Sequence, residues 1–216
     1  MTDGRKKMRN DLIKASEEYI YSRRDLSTMA EMIPENVRIL DLGCGTGRLL
    51  KAMQVLKGAR VMGVEMNESK VIECIGRGVP VIQKNLDEGL SDFKDNSFDF
   101  VILSQTFQTV KRPDVILDEM LRIGKRGIVS FINIGYWRAR IQIALGNMPV
   151  TRTLPMQWYD TTNIHLGTIS DFRKLCRDRN IRIVTEIPLQ ERNRIPLRCR
   201  LWPNLFASTC VFIIEK

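Results

Sequence analysis

Short β-branched apolar runs alternate along this chain with longer segments whose apolar residues recur at helical spacing. VRILDL (37–42), ARVMGVE (59–65), VPVIQ (79–83) and FDFVILS (98–104) have the first texture. TGRLLKAMQVL (46–56) and ESKVIECIGRG (68–78) separate the first three with the second texture. A helix opening after Pro113, DVILDEMLRI, then precedes the buried run GIVSFIN at 127–133. The alternation predicts βαβ units and a parallel sheet. Further on, SDFRKLCRDRN predicts a helix, IRIVTEIPL a strand and LFASTCVFIIEK a terminal strand, the last two forming a hairpin-like ending. Ahead of the sheet, Asp11 to Ile33 carries Leu12, Ile13, Ile20, Met29 and Met32 at rough helical spacing until Pro34 stops it, which predicts one N-terminal helix. After the fifth strand, GYWRARIQIALGNMPVTRTLPMQWYDTTNIH is too long for a simple connector and predicts a short helix plus a lid or binding loop.

At 216 residues, 44% of them apolar, the chain suits one domain, with residues 1–36 as a helical extension and 136–168 as the lid or partner region. No run approaches the roughly 18–20 unbroken apolar residues of a membrane span, and the basic start MTDGRKKMRND leads into no apolar signal core. A soluble cytoplasmic protein is expected. The five cysteines, Cys44, Cys74, Cys176, Cys199 and Cys210, stand in no CxxC pair, so reduced buried thiols are expected rather than disulfides or a metal site. The formal charge of +9 lies mostly in residues 136–216, with thirteen Lys/Arg against six Asp/Glu. That bias permits an anionic partner. Arg192, Arg194, Arg198 and Arg200 nevertheless lack the interleaved aromatics of a single-strand platform, which counts against nucleic acid.

The candidate chemistry starts at ILDLGCGTGRLL (39–50). In a doubly wound sheet ligands bind outside the carboxyl ends of the strands, where Gly43, Gly45 and Gly47 would form the first exit loop. Glycines there permit a tight turn and close approach of backbone to ligand, and the helix opening near Thr46 offers free N–H groups. A dinucleotide fingerprint would need a glycine where Arg48 stands. Asp41 would be unwelcome beside phosphate and useful beside an ammonium or sulfonium. Glu65 ends the second strand, where a carboxylate can accept both hydroxyls of a ribose. Asn85 and Leu86 follow the third strand, placed for an adenine amino group and ring. Ser104 and Gln105 follow the fourth. Singly, each is as well read as a turn, cap or solvated strand end; jointly, at four successive strand ends, they describe a binding crevice.

DLGCGTG followed by VMGVE and QKNLD resembles the class I S-adenosylmethionine-dependent methyltransferases over roughly 37–135. The resemblance implies a Rossmann-like fold: a mostly parallel seven-stranded sheet with an antiparallel last strand, helices on both faces and here an extra N-terminal helix. It also implies cofactor contacts at Asp41 and the loop Gly43, Cys44, Gly45 and Gly47, a ribose contact at Glu65 beside Met66, and an adenine contact at Asn85 and Leu86. That family usually has aspartate where Asn85 stands. More specifically, NLDEGL, FDFVILSQTFQ, RPDVILDEMLRIGKRGIVSFINIGYWRAR, MPVTRTLPMQWYDTTNIHLGTISDF and WPNLF are similar to the MetW family of methionine biosynthesis proteins, over about 37–216. That likeness implies an accessory role beside a homoserine O-acyltransferase, in a complex with it, and S-adenosylmethionine or S-adenosylhomocysteine as cofactor.

Methyl transfer is an in-line displacement that needs placement more than side-chain chemistry, so the lack of a catalytic motif decides little. NIGY (133–136) only faintly echoes an amino-methylating motif. His165, the one histidine, has a general-base reading and a structural one. Tyr136, Trp137, Trp158 and Tyr159 suit core or interface better than a pocket, and Gln105 and Gln108 suit either ligand orientation or an exposed helix start. An accessory subunit, an active small-molecule methyltransferase and an RNA-directed methyltransferase thus remain, in descending order.

Overall fold

The computed structural model describes residues 3–162, 165–190 and 197–216. Seven strands form one sheet in the order β3-β2-β1-β4-β5-β7-β6: β1 Arg38–Leu42, β2 Arg60–Glu65, β3 Val81–Gln83, β4 Phe98–Ser104, β5 Gly124–Ile132, β6 Arg182–Leu189 and β7 Thr209–Glu215. The first five run parallel. Strand β7 enters antiparallel between β5 and β6, so β6 points with the rest.

Both faces are covered, which explains why the inner strands read as continuous apolar runs. On one face lie α5 (Pro113–Ile123) and α7 (Ile169–Asp178), packed with Phe131, Phe172 and Phe212. On the other lie α2 (Arg24–Met32), α3 (Arg48–Lys57) and α4 (Glu68–Gly76) over Ile39, Ile102 and Val211. Helix α6 (Trp137–Ala144) opens the long connector after β5; α8 (Leu197–Leu201) and α9 (Pro203–Phe206) precede β7. Among the described residues no helix is long and apolar enough to cross a membrane.

Three boundaries differ from the sequence expectation. The single N-terminal helix is two, α1 (Asp3–Ser22) and α2, broken at Arg23, whose backbone is extended (φ −134°, ψ 131°). The break turns Leu26 and Met29 onto the sheet while α1 runs over α3, and Arg23 holds the corner by pairing with Asp25 at 2.5 Å. The terminal strand starts at Thr209, since Pro203 opens α9 instead of extending a ladder. Strand β5 starts at Gly124, opposite Phe98, because the parallel pairing carries it three residues further back than its apolar run. All five cysteines are free and buried. Arg192 and Arg194 lie outside the described residues.

An aromatic layer of Phe107, Phe131, Phe172 and Phe212 packs under α7. Phe212 is fully buried, stacked on Phe131 with centroids 5.8 Å apart and 4.5 Å from Phe172. Phe212→Ala is expected to cost about 3–5 kcal/mol in urea unfolding; a loss below about 1 kcal/mol would mean that the layer relaxes around the cavity.

Candidate functional site

The carboxyl ends of β1 to β4 open into a cavity of about 510 Å³. Gly43, Gly45, Glu65, Met66, Asn85, Leu86 and Gln105 are on its wall, drawn from four strand exits. At Gly43 and Gly45 the backbone is left-handed (φ 78° and 57°), a conformation that glycine adopts without strain. A Cβ on Gly43 would lie 2.6 Å from the Thr106 side chain, so glycine lets the loop close on the β4 exit. A Cβ on Gly45 would meet nothing within 4 Å and would instead fill cavity space. Such a cradle suits a ligand that approaches backbone closely.

Two carboxylates set the electrostatics. Glu65 is buried, and its Oε2 accepts from the Gly45 N–H at 2.9 Å while Oε1 accepts from Met66 and Asn67 N–H groups at 3.0 and 2.9 Å. It therefore ties the glycine loop to the β2 exit, and Oε2 keeps a lone pair for a ligand. Asp41 is paired within the sheet to Gly63 and Ile102 and is only 3% exposed. Its Oδ1 has no hydrogen-bond partner among the described residues. Burial, reinforced by the Glu65 charge and opposed by Arg23, pushes its carboxyl up to about 7. A buried acceptor without a donor is what a cationic ligand group would satisfy.

Asn85 Oδ1 caps the short 3-10 turn Leu86–Glu88 by accepting from Asp87 N–H at 3.1 Å. Its carbonyl is thus partly engaged, and the Nδ2 donor remains for a ligand. Four expected residues are not on the cavity wall: Asp41, buried within β1, and Cys44, Gly47 and Ser104. Cys44 Sγ lies 3.9 Å from Cys74 Sγ in the core. Gly47 precedes α3, its Cβ position against Cys74 Sγ. Ser104 Oγ lies 3.4 Å from Ser130 Oγ and from Arg23 Nη2, away from the glycine loop.

Other candidate residues are engaged in the fold. Gln108 is no exposed helix start: it is 2% exposed, accepts from Ile132 N–H at 2.9 Å and donates to the His165 carbonyl at 3.0 Å. His165 returns a backbone bond to the Gln108 carbonyl, and its ring Nε2 is 3.3 Å from the Lys111 carbonyl. Asn133, in the NIGY echo, donates to the Asn204 and Ala207 carbonyls and accepts from Gly135 and Ile169 N–H groups, so its amide is fully engaged by backbone. Tyr136 is buried, while Trp158 and Tyr159 are exposed. Sequence reasoning missed Lys70, Lys84, Thr106, Thr109, Lys111 and Thr162 on the cavity wall. Their only signal was closeness to strand exits, and Thr162 comes from the long connector.

The sheet order and this crevice define a Rossmann-like class I methyltransferase fold. An S-adenosylmethionine-dependent methyltransferase from Mesorhizobium loti superposes with a TM-score of 0.67 at 16% identity, covering 91% of this chain and 100% of that one. The cyclase SpnF superposes with a TM-score of 0.63 at 18% identity, covering 88% and 79%. More narrowly, the family model described as "Methionine biosynthesis protein MetW" matches residues 23–214, and the chain belongs to that family. The "Bifunctional methionine biosynthesis protein MetXA/MetW" of Rhodopirellula baltica is 33% identical over 202 residues, 89% of this chain. The chain spans only 32% of that relative's length.

Asp41 makes a pH prediction. Its folded pKa of about 7 exceeds the ordinary 3.8, so the folded state holds the extra proton between those values. The contribution to stability is fully present below about pH 4 and is lost as pH rises through about 7. Between about pH 5 and pH 8 the ligand-free protein should lose stability relative to Asp41→Asn by a few kcal/mol, read from thermal unfolding of both. Parallel stability curves would show that Asp41 titrates normally.

Proposed function

We propose that this chain binds S-adenosylmethionine or S-adenosylhomocysteine at the glycine loop and serves in the cytoplasm as the accessory, activating subunit of a homoserine O-acyltransferase in methionine biosynthesis. The observation that carries the partnership is the relative whose name joins MetXA and MetW in one bifunctional chain, since fusion of two modules keeps together what must act together. The cofactor reading is supported by the cradle at Gly45 and by the donor-free oxygen of Asp41.

The residues fit such a ligand. Gly43 and Gly45 let it approach the backbone, and Asp41 offers an acceptor of the sign that an ammonium or sulfonium needs. Glu65 Oε2 has capacity for a ribose hydroxyl, Asn85 Nδ2 can donate to a ring nitrogen, and Leu86 supplies apolar surface on the same wall. S-adenosylmethionine, when bound, carries a transferable methyl group on its sulfonium. Near the connector the Asn133 amide is held by backbone groups and the His165 ring Nε2 lies 3.3 Å from the Lys111 carbonyl; the support for a ligand-sensing role over transfer is the fused relative. A ligand that binds two states of the complex unequally would shift its activity.

The test is homoserine acylation by the companion acyltransferase, alone and mixed with this protein, with and without S-adenosylmethionine. Activity is expected to rise in the mixture and to respond to the ligand. Glu65→Ala is expected to weaken S-adenosylmethionine binding by about tenfold or more in calorimetry, the loss of a charge-assisted acceptor and of its hold on the loop. Acylation indifferent to the added chain would remove the accessory reading, and absence of binding by wild type would remove the cofactor reading.

A further inference from the structure

A second cavity, of about 390 Å³, lies on the far side of Gln105 from the glycine loop. It is walled by the α1–α2 corner, the β4 exit, part of the long connector and the ends of β6 and β7. Gln105 is on the wall of both cavities. It takes a left-handed backbone (φ 58°) that costs a non-glycine residue energy, while its N–H bonds the Ser130 carbonyl at 2.9 Å.

The charges of this second cavity are unlike those of the first. Arg23, Arg24 and Arg152 are on the wall, with Asp25 as the one acidic residue among the described residues there. Asp25 is buried and its oxygens face inward contacts: Arg23 Nε at 3.1 Å, Arg23 Nη2 at 2.5 Å, Ser130 Oγ at 3.3 Å and Gln105 Nε2 at 3.4 Å. It balances one guanidinium and holds it in place. Arg152 is exposed and makes no ion pair with any described residue. Among the described residues, Arg152 therefore adds a positive charge beside a guanidinium fixed by a buried network. Leu189 and Pro155 add apolar surface beside the arginines.

We propose that this cavity is a second ligand site, for a small organic anion whose carboxylate or phosphate group is bound by Arg23 and Arg152 and whose carbon skeleton lies against Leu189 and Pro155. The planar guanidinium of Arg152 can fork onto either oxyanion, while Arg23, whose Nε and Nη2 are held by Asp25, offers its Nη1 and loses little freedom on binding. The inference is independent of what fills the first cavity. Its ligand would lie one side chain away from that occupant, with Gln105 between them.

The test is calorimetry on the full chain, without nucleoside ligand and at constant ionic strength, with succinate, acetate and phosphate as probes. Saturable binding of at least one probe is expected, weakened about tenfold or more by Arg152→Ala, an exposed position whose loss leaves the core intact, and unchanged by Lys111→Ala on the first cavity. Binding of the dicarboxylate over phosphate assigns a carboxylate ligand, and the reverse order a phosphate. The proposal is overturned if no probe binds saturably, if Arg152→Ala binds as wild type does, or if Lys111→Ala removes the binding instead.

Discussion

A parallel sheet covered on both faces has nowhere to put polar chemistry except at its strand ends. In this molecule β1, β4 and β5 are sealed between two helical layers, so their interior positions are apolar apart from Asp41 and Ser130, and their backbone hydrogen bonds close within the ladder. Everything that can recognise a ligand is consequently gathered at the carboxyl edge. Asp41 is the exception that follows from the same constraint: one residue short of the β1 end, it is already buried deeply enough to hold its proton near neutrality.

That edge is organised by carboxylates that bind protein before they bind anything else. Glu65 gathers three backbone N–H groups and thereby sets the glycine loop against the second strand. Asp25, brought in from α2, gathers Arg23, Gln105 and Ser130 and sets the N-terminal corner against the fourth and fifth strands. The two clusters shape two cavities of different character, with Gln105 and its left-handed backbone as the partition. A residue strained in this way persists only where its surroundings hold it, and the hydrogen bond to Ser130 does so here.

The fold alone leaves the activity open, since the neighbours include both a methyltransferase and a cyclase. Family membership places the chain among proteins described as methionine biosynthesis proteins. In this chain, the engagement of Asn133, Gln108 and His165 with backbone groups fixes the long connector to the sheet end. Those residues give the carboxyl edge a stable rim, and the exposed Trp158 and Tyr159 stand outside it.

The strands, the glycine turn and the acidic β2 end were legible in the sequence because each depends on local rules: a run sealed on both faces must be apolar, a left-handed turn favours glycine, and a strand end must hold whatever meets the ligand. The break at Arg23 was not legible, because helical spacing continues through it and only pairing with Asp25 and docking on the sheet turn the chain. Nor was the direction taken by Ser104 or Gln108, whose side chains answer to partners 26 and 57 residues away in sequence. The second cavity depends on five separated segments meeting. Composition and periodicity thus determined the layers and the place of the crevice. Which polar side chains face a ligand and which are used up inside the fold was decided by tertiary contacts, because a hydrogen bond is made with whatever neighbour the packing supplies.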